Sequence, residues 1–266
     1  MQKLFDNLTI AFRKNQGELD FNSFERVIRK SSPFIDDIDT IFLLLQASGY
    51  PIEETVWGYR LKTFFTLYQD EIFTIVDIET NGSKPRRSQV IEIGAIKLQN
   101  GKIIDKLESF VQCAYLPEHI STLTGIHPKD LAKAPSRQEV LLKFKKFLGD
   151  SVFVAHNVSF DYNFLSASFE RFGLGAIGNM RLCTIDLAKK TIKAPRYGLA
   201  FLNEFLELEM KSHHRAYSDA LATSKIFQKS LENLPEFIKT TDDLILFSQG
   251  RKNSKKLKAK FSKNSS

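Results

Sequence analysis

Ten residues constrain this chain more than any others: Phe-Thr-Ile-Val-Asp-Ile-Glu-Thr-Asn-Gly, Phe73 to Gly82. Apolar and β-branched residues running up to Asn81-Gly82 predict a strand that ends in a turn. Side chains alternate along a strand, so Asp77 and Glu79 share a face, with Phe73 and Ile75 behind them. Two carboxylates on one face at the tip of an otherwise apolar strand are costly unless something positive sits between them. A divalent metal is the natural answer. The plainer reading is a half-exposed strand tip with solvated charges, and the rest of the chain decides between the two.

With 266 residues there is room for one good domain and a smaller one. A hydrophobic content of 42% and a charged content of 26% are those of a soluble globular protein. No apolar run approaches a membrane span, and the first residues lack the layout of a signal peptide, so a cytoplasmic protein is expected. Cys113 and Cys183 have no metal-ligand spacing and read as small apolar residues rather than a disulfide. Residues 1–70 are slightly acidic and 71–234 mildly basic, whereas the last sixteen residues carry seven Lys/Arg and no acid. That balance suits a domain that handles a polyanion at an acidic centre, with a disordered tail adding non-specific attraction.

Residues 1–48 read as three helices, with a break at Asn15-Gln16-Gly17 and a close at Ser31-Ser32-Pro33. The following Val56-Trp57-Gly58-Tyr59-Arg60-Leu61 reads as a hairpin. Together these resemble a winged-helix module. The third helix carries Asp36, Asp37 and Asp39, the wrong sign for reading DNA, so packing or protein interaction is expected of residues 1–70.

From Phe73 the pattern turns to strands and helices in alternation. Val90 to Leu98 and Lys102 to Val111 are expected strands, joined at Gln99-Asn100-Gly101. Pro117 to Pro135 is helical or loop, and Ser136 to Leu148 is a helix with Glu139 at capping-box spacing from Ser136. Ser151 to Ala155 is a buried strand, and helices follow at Asp161 to Phe172, after Ile185, at Tyr197 to Leu206 and at Ala216 to Leu231. The expected fold is α/β, a sheet with helices on both faces. The expected units are residues 1–70, 71–234 and 235–266.

Two more acids have telling surroundings. Asp161 ends the run His156-Asn157-Val158-Ser159-Phe160-Asp161, and Asp219 follows His213-His214-Arg215-Ala216-Tyr217-Ser218. Singly, each acid is explained by a helix dipole, and His156 reads as a structural histidine. As a set, Asp77-Ile78-Glu79-Thr80, His156-Asn157 with Phe160-Asp161, and His214 five residues before Asp219 resemble the motifs of the DEDDh family of 3′→5′ exonucleases. That family includes the proofreading (epsilon) subunits of bacterial replicative DNA polymerases. Glu92-Ile93-Gly94-Ala95 and Leu123-Thr124-Gly125-Ile126 add smaller matches.

The resemblance covers residues 71–234 and implies a ribonuclease H-like mixed sheet, with the N-terminal winged-helix-like unit outside it. It implies Asp77, Glu79, Asp161 and Asp219 as ligands of two Mg²⁺, with Mn²⁺ as a possible substitute, and His214 as general base. It also implies substrate contacts near Thr80, Thr124, Gly125, Ile126 and Asn157. Two metal ions roughly 3.5–4 Å apart can generate the nucleophile and neutralise the leaving oxygen, and Mg²⁺ prefers oxygen donors. A five-residue offset turns about 140° round a helix, so His214 is expected in the loop before the helix that carries Asp219. Phe160 is expected in the core.

The implied activity is removal of nucleoside 5′-monophosphates from single-stranded or frayed 3′ ends of DNA, in proofreading or repair. A 3′→5′ exoribonuclease of the same family and a non-catalytic interaction module are the alternatives. Implied partners are nucleic acid, a DNA polymerase III core and the sliding clamp. Asp243-Leu244-Ile245-Leu246-Phe247 resembles the clamp-binding peptide of bacterial replication proteins, with Asp243 in place of its Gln. The plainer reading of that segment is a small apolar helix docked on the domain.

Overall fold

The computed structural model describes residues 1–31, 37–208 and 214–250. Asp36, His213 and the basic tail from Arg251, all singled out above, lie outside the described residues.

The chain opens with α1 (Gln2–Lys14), β1 (Glu18–Asp20), α2 (Phe21–Ser31), α3 (Ile38–Ala47), β2 (Ile52–Thr55), β3 (Gly58–Leu61) and the single turn α4 (Lys62–Phe65). The hairpin β2–β3 is the expected one, but β1 pairs with β3 to make a three-stranded antiparallel sheet in the order β1-β3-β2. β1 has three residues with only Leu19 buried, too short for an alternation to register in the sequence. Asp37 caps α3, its carboxylate accepting from the Asp39 N–H, so this acid serves its own helix.

The larger sheet comprises β4 (Phe73–Thr80), β5 (Val90–Gln99), β6 (Lys102–Phe110), β7 (Val152–Ala155) and β8 (Arg181–Cys183). Its order is β6-β5-β4-β7-β8, with β4, β5 and β6 antiparallel and β7 and β8 parallel to β4. This is the mixed sheet expected from the sequence. Between β6 and β7 lie α5 (Glu118–Thr124), α6 (Pro128–Ala132) and α7 (Arg137–Leu148). The helices α8 (Val158–Arg171), α9 (Thr184–Thr191), α10 (Leu199–Phe205), α11 (Ala216–Glu232) and α12 (Thr241–Ser248) complete the chain. Asn100 and Gly101, with φ of 48° and 72°, make the expected β5–β6 turn. Ser136 and Glu139 form their capping box. Cys113 and Cys183 are both free thiols.

Alternation along the strands sorts the core into two layers. Val76, Ile78, Ile93 and Ala95 pack with Val140 and Phe144 of α7 and with Phe164 and Leu165 of α8. Phe73, Ile75, Ile96 and Leu98 face the other way, toward Ala220 and Phe227 of α11. That second layer runs on without a break into Leu4, Leu8 and Phe12 of α1 and Leu244 and Ile245 of α12. Arg13 of α1 pairs with the buried Asp242 at 2.7 Å, and the Thr241 N–H donates to the Thr66 carbonyl at 2.9 Å. The N-terminal and C-terminal segments therefore share one apolar cluster with the sheet.

Two expectations are corrected. α8 starts at Val158, three residues earlier than read, which puts Asp161 in its first turn. Phe160 is 37% exposed and touches Phe164 from the rim, because its helical neighbour Asp161 takes the inward direction.

Candidate active site

Asp77 and Glu79 are half-buried side chains between buried neighbours, as the alternation requires. The antiparallel register sets Asp77 opposite Gly94 and Glu79 opposite Glu92. A bulge follows between Glu79 and Thr80, so the ladder is irregular just where the carboxylates end.

Asp161 reaches β4 because β7 is short. The β4–β7 ladder stops at Ile75 opposite Val154. Beyond that point the chain turns at Asn157, with φ of 76°, into α8. The Ile78 N–H, past the end of the ladder, donates to Asp161 Oδ1 at 3.2 Å, and Asp161 is only 3% exposed.

Asp219 arrives on α11, whose start lies against β5. A Cβ at Gly94 would overlap the backbone of Ala216 and Tyr217, so a side chain there is incompatible with this close approach. Asp219 is buried, and its Oδ2 accepts from the His214 N–H at 3.0 Å. His214 is exposed, has φ of 64°, and precedes the capping residue Arg215, in the loop position expected for it. Ligand atoms of Glu79, His214 and Asp219 all lie within 4.8 Å of one another.

Glu92 and Arg215 complete this corner, and sequence reasoning gave neither a role. Glu92 is 1% exposed. It accepts from Arg215 Nη2 at 2.9 Å and Nε at 3.2 Å, and from the Ala216 N–H at 3.1 Å. The guanidinium also lies over the Phe110 ring, 5.1 Å from its centroid. The available signal was Glu92 itself, an acid inside an apolar strand, which called for a cation.

The electrostatics follow from this crowding. Burial, then Asp161, Asp219, Glu79 and Glu92, push the Asp77 carboxyl well above its ordinary range. Glu79 rises to about 7 through burial, then Asp219 and Glu92, with Arg215 pulling it back. Asp161 rises to about 8, mainly through burial, despite the backbone N–H groups that favour its charge. Arg215 is committed to Glu92, so four carboxylates converge with little positive charge of their own. An all-oxygen, anionic, partly open set of this kind fits hard divalent cations.

The remaining expected residues are placed as follows. Thr80 is buried and its hydroxyl donates to the Gly82 carbonyl at 2.9 Å. Thr124 ends α5, Gly125 takes the left-handed position with φ of 68°, and Ile126 is buried with Ile91, Cys113 and Leu131. Ile91 adjoins Glu92, which ties this segment to the strand beside the carboxylates. Asn157 is exposed at the head of α8. His156 has a structural place: Nε2 donates to the Tyr197 carbonyl at 2.9 Å, and Nδ1 accepts from the Thr184 hydroxyl at 2.9 Å. Burial lowers it to about 4, so it is neutral.

Known proteins resemble this chain. The family model for exonucleases, RNase_T, matches residues 74–227, more than half of the chain. The PolC-type DNA polymerase III of Staphylococcus epidermidis is 39% identical over 196 residues, which is 73% of this chain and 13% of that protein. Its Staphylococcus aureus counterpart is 39% identical over 171 residues, 63% of this chain and 12% of that protein. The chain thus matches only about an eighth of the length of these relatives. Among solved structures, E. coli exonuclease I in complex with a dA16 oligonucleotide superposes with a TM-score of 0.54 at 18% identity. That match covers 62% of this chain and 42% of the other. The zinc-bound form of the same enzyme with single-stranded DNA gives 0.57 at 21% identity, covering 63% and 42%. These likenesses share the fold of the sheet and its helices.

Proposed function

The chain belongs to the exonuclease family, as a 3′→5′ exonuclease of the DEDD type, and on that premise we propose that it acts on DNA. In this reading it releases nucleoside 5′-monophosphates from single-stranded or frayed 3′ ends, in proofreading or repair. The observation that carries its hydrolytic part is the convergence of Asp77, Glu79, Asp161 and Asp219 from β4, α8 and α11, with His214 beside Asp219; the relatives named as DNA polymerase III favour DNA as the substrate.

Asp77, Glu79, Asp161 and Asp219 would hold two Mg²⁺, for which Mn²⁺ can substitute. Bound there, the ions supply positive charge that acidifies water and offsets the charge on the leaving 3′-oxygen. The chain's own groups do the rest. The His214 imidazole takes the proton from the attacking water. Its loop position, outside the helix, lets the ring reach that water while its backbone N–H stays on Asp219. Glu92 and Arg215 hold the start of α11 against β5 and so set where Asp219 stands. The backbone around Thr80, the Thr124-Gly125-Ile126 segment and Asn157 flank the terminal nucleotide.

In this reading residues 71–234 form the catalytic unit, 1–70 a packing or protein-interaction unit and 235–266 a C-terminal segment. The relatives named as DNA polymerase III support association with a replicative polymerase. Clamp binding rests on the peptide Asp243 to Phe247 alone. Asp243 completes a capping box with Thr240, and Leu244 and Ile245 are buried in the core, so packing explains this segment, departure from Gln included. Among the described residues no helix is long and apolar enough to cross a membrane; a cytoplasmic setting goes with the proposed role on replicating or damaged DNA.

The test is side-by-side digestion of matched single-stranded DNA, mispaired primer–template and RNA, each with Mg²⁺ and with chelator. Mg²⁺-dependent release of nucleoside 5′-monophosphates from DNA is expected. Cleavage of RNA alone replaces this reading with the exoribonuclease, and cleavage of nothing replaces it with a binding module.

A further inference from the structure

The loop joining β4 to β5, residues 81–89, leaves the sheet two residues after Glu79 and returns three residues before Glu92. It holds Lys84, Arg86 and Arg87, all exposed, and no acid. Among the described residues none of the three forms an ion pair. Three like charges on nine residues repel one another, yet the loop is heavily braced. The Asn81 N–H donates to the Gln89 carbonyl at 3.0 Å, and the Gln89 N–H returns to Asn81 Oδ1 at 2.8 Å. The Arg87 and Ser88 N–H groups both converge on the Lys84 carbonyl, at 2.9 and 2.8 Å. From outside, Arg171 at the end of α8 donates to the Arg86 carbonyl at 2.7 Å.

The same bracing reaches an aromatic ring. Asn81 Nδ2 donates to the Tyr115 carbonyl at 3.1 Å, and Tyr115 is 70% exposed. Tyr115 borders a shallow, open groove together with Pro117, Glu118, His119 and Thr122. The Glu118 carboxylate repels phosphate from that groove, whereas an uncharged base can lie on the ring. Cations that follow a backbone beside an aromatic that takes a base are the two elements of single-strand binding. Bracing the backbone that carries the cations lowers part of the ordering cost of engaging phosphates.

We propose that the 81–89 loop and Tyr115 form a track for single-stranded nucleic acid upstream of its 3′ end, with Lys84, Arg86 and Arg87 on successive phosphates and Tyr115 stacked on a base. The assignment rests on the exonuclease reading and deepens it: the substrate is a strand several nucleotides long, held away from the scissile bond as well as at it.

The test uses the full chain with Mg²⁺ and three probes. These are a DNA single strand of about 16 nucleotides, a dinucleotide, and the p-nitrophenyl ester of thymidine 5′-monophosphate. Replacing Lys84, Arg86 and Arg87 together by Ala is expected to raise KM for the long strand roughly tenfold at low salt. It should also flatten the slope of log KM against log salt by about 2, since each single-strand phosphate contributes about 0.7. The loss falls on KM of the long strand, and the ester, which offers no upstream phosphate, registers none of it. Tyr115→Ala is expected to raise the same KM severalfold, with Tyr115→Phe restoring it. An unchanged KM and salt slope overturns the track, as does an equal loss on ester and long strand, which would make the loop a support of the carboxylates. If the wild type cleaves none of the probes, the exonuclease reading fails by itself. Anisotropy of the labelled strand in Ca²⁺ then decides the track, and equal affinity of wild type and triple variant overturns it.

Discussion

Glu79 and Glu92 stand directly opposite each other across β4 and β5, and their surroundings treat them in opposite ways. Glu92 is enclosed by the Arg215 fork and the Ala216 N–H, whereas Glu79 meets Asp219 and is pushed up to about 7. One carboxylate is therefore spent on holding α11 in place, and its cross-strand neighbour is left short of positive charge. That division between a structural and a chemical acid shapes the predictions below.

Asp77→Ala or Asp219→Ala should abolish hydrolysis. Without metal the fold should be unchanged or slightly more stable, because one of four mutually repelling groups is gone. Product release and thermal unfolding in chelator measure the two halves. More than a few per cent of wild-type rate in either variant would sink the two-ion reading.

His214→Ala should lower turnover by roughly 10²–10⁴, the usual range for losing a general base, with little change in Mg²⁺ affinity. His213→Ala should be nearly silent. Because His214 also lies within ligand distance of Glu79 and Asp219, a metal titration is the decisive measurement. A large loss of Mg²⁺ affinity would make His214 a ligand instead.

Arg215→Ala strands the buried Glu92. Breaking a fully buried pair costs about 3–5 kcal/mol. Arg215 is 39% exposed, so solvent screening reduces the expected loss to about 2 kcal/mol in denaturant unfolding. Adding Glu92→Leu should recover part of that stability, since no charge is then left unpaired. Activity should stay low in the double variant because α11 has lost its clamp. Full activity there would deny Glu92 and Arg215 any part in placing Asp219.

Stability of the metal-free protein should fall as pH rises from 6.5 to about 8.5. Glu79 and Asp161 have folded values near 7 and 8, above their unfolded values, so the folded state binds more protons across this window and loses stability as they leave. His156 has the opposite sign: its folded value is lowered from 6.5 to about 4, so its contribution is lost only as pH falls below 6.5. Melting temperatures in chelator across the window should slope downward, and saturating Mg²⁺ should flatten the slope. A flat profile in chelator would show that neither Glu79 nor Asp161 is held above its ordinary range in the folded state.

Much of the protein was legible in one dimension because its signals are local. An alternating strand shows in Phe73 to Thr80, a turn in Asn100-Gly101, and a capping box in Ser136 with Glu139, each within a few residues. Asp77, Glu79, Asp161, Asp219 and the loop place of His214 were legible for the same reason, as short runs with fixed internal spacing. The clamp of Arg215 on Glu92 joins residues 123 positions apart, and no periodicity records such a pairing. The glycine at 94 reads as an ordinary strand weakness until α11 is seen lying on it. Asp243 reads as a flaw in a peptide motif until it is seen closing the cap of a buried helix. Composition and spacing decide which side chains are present and which share a face; only the packed chain decides which charges meet, because burial and opposed charge depend on the elements that distant segments bring together.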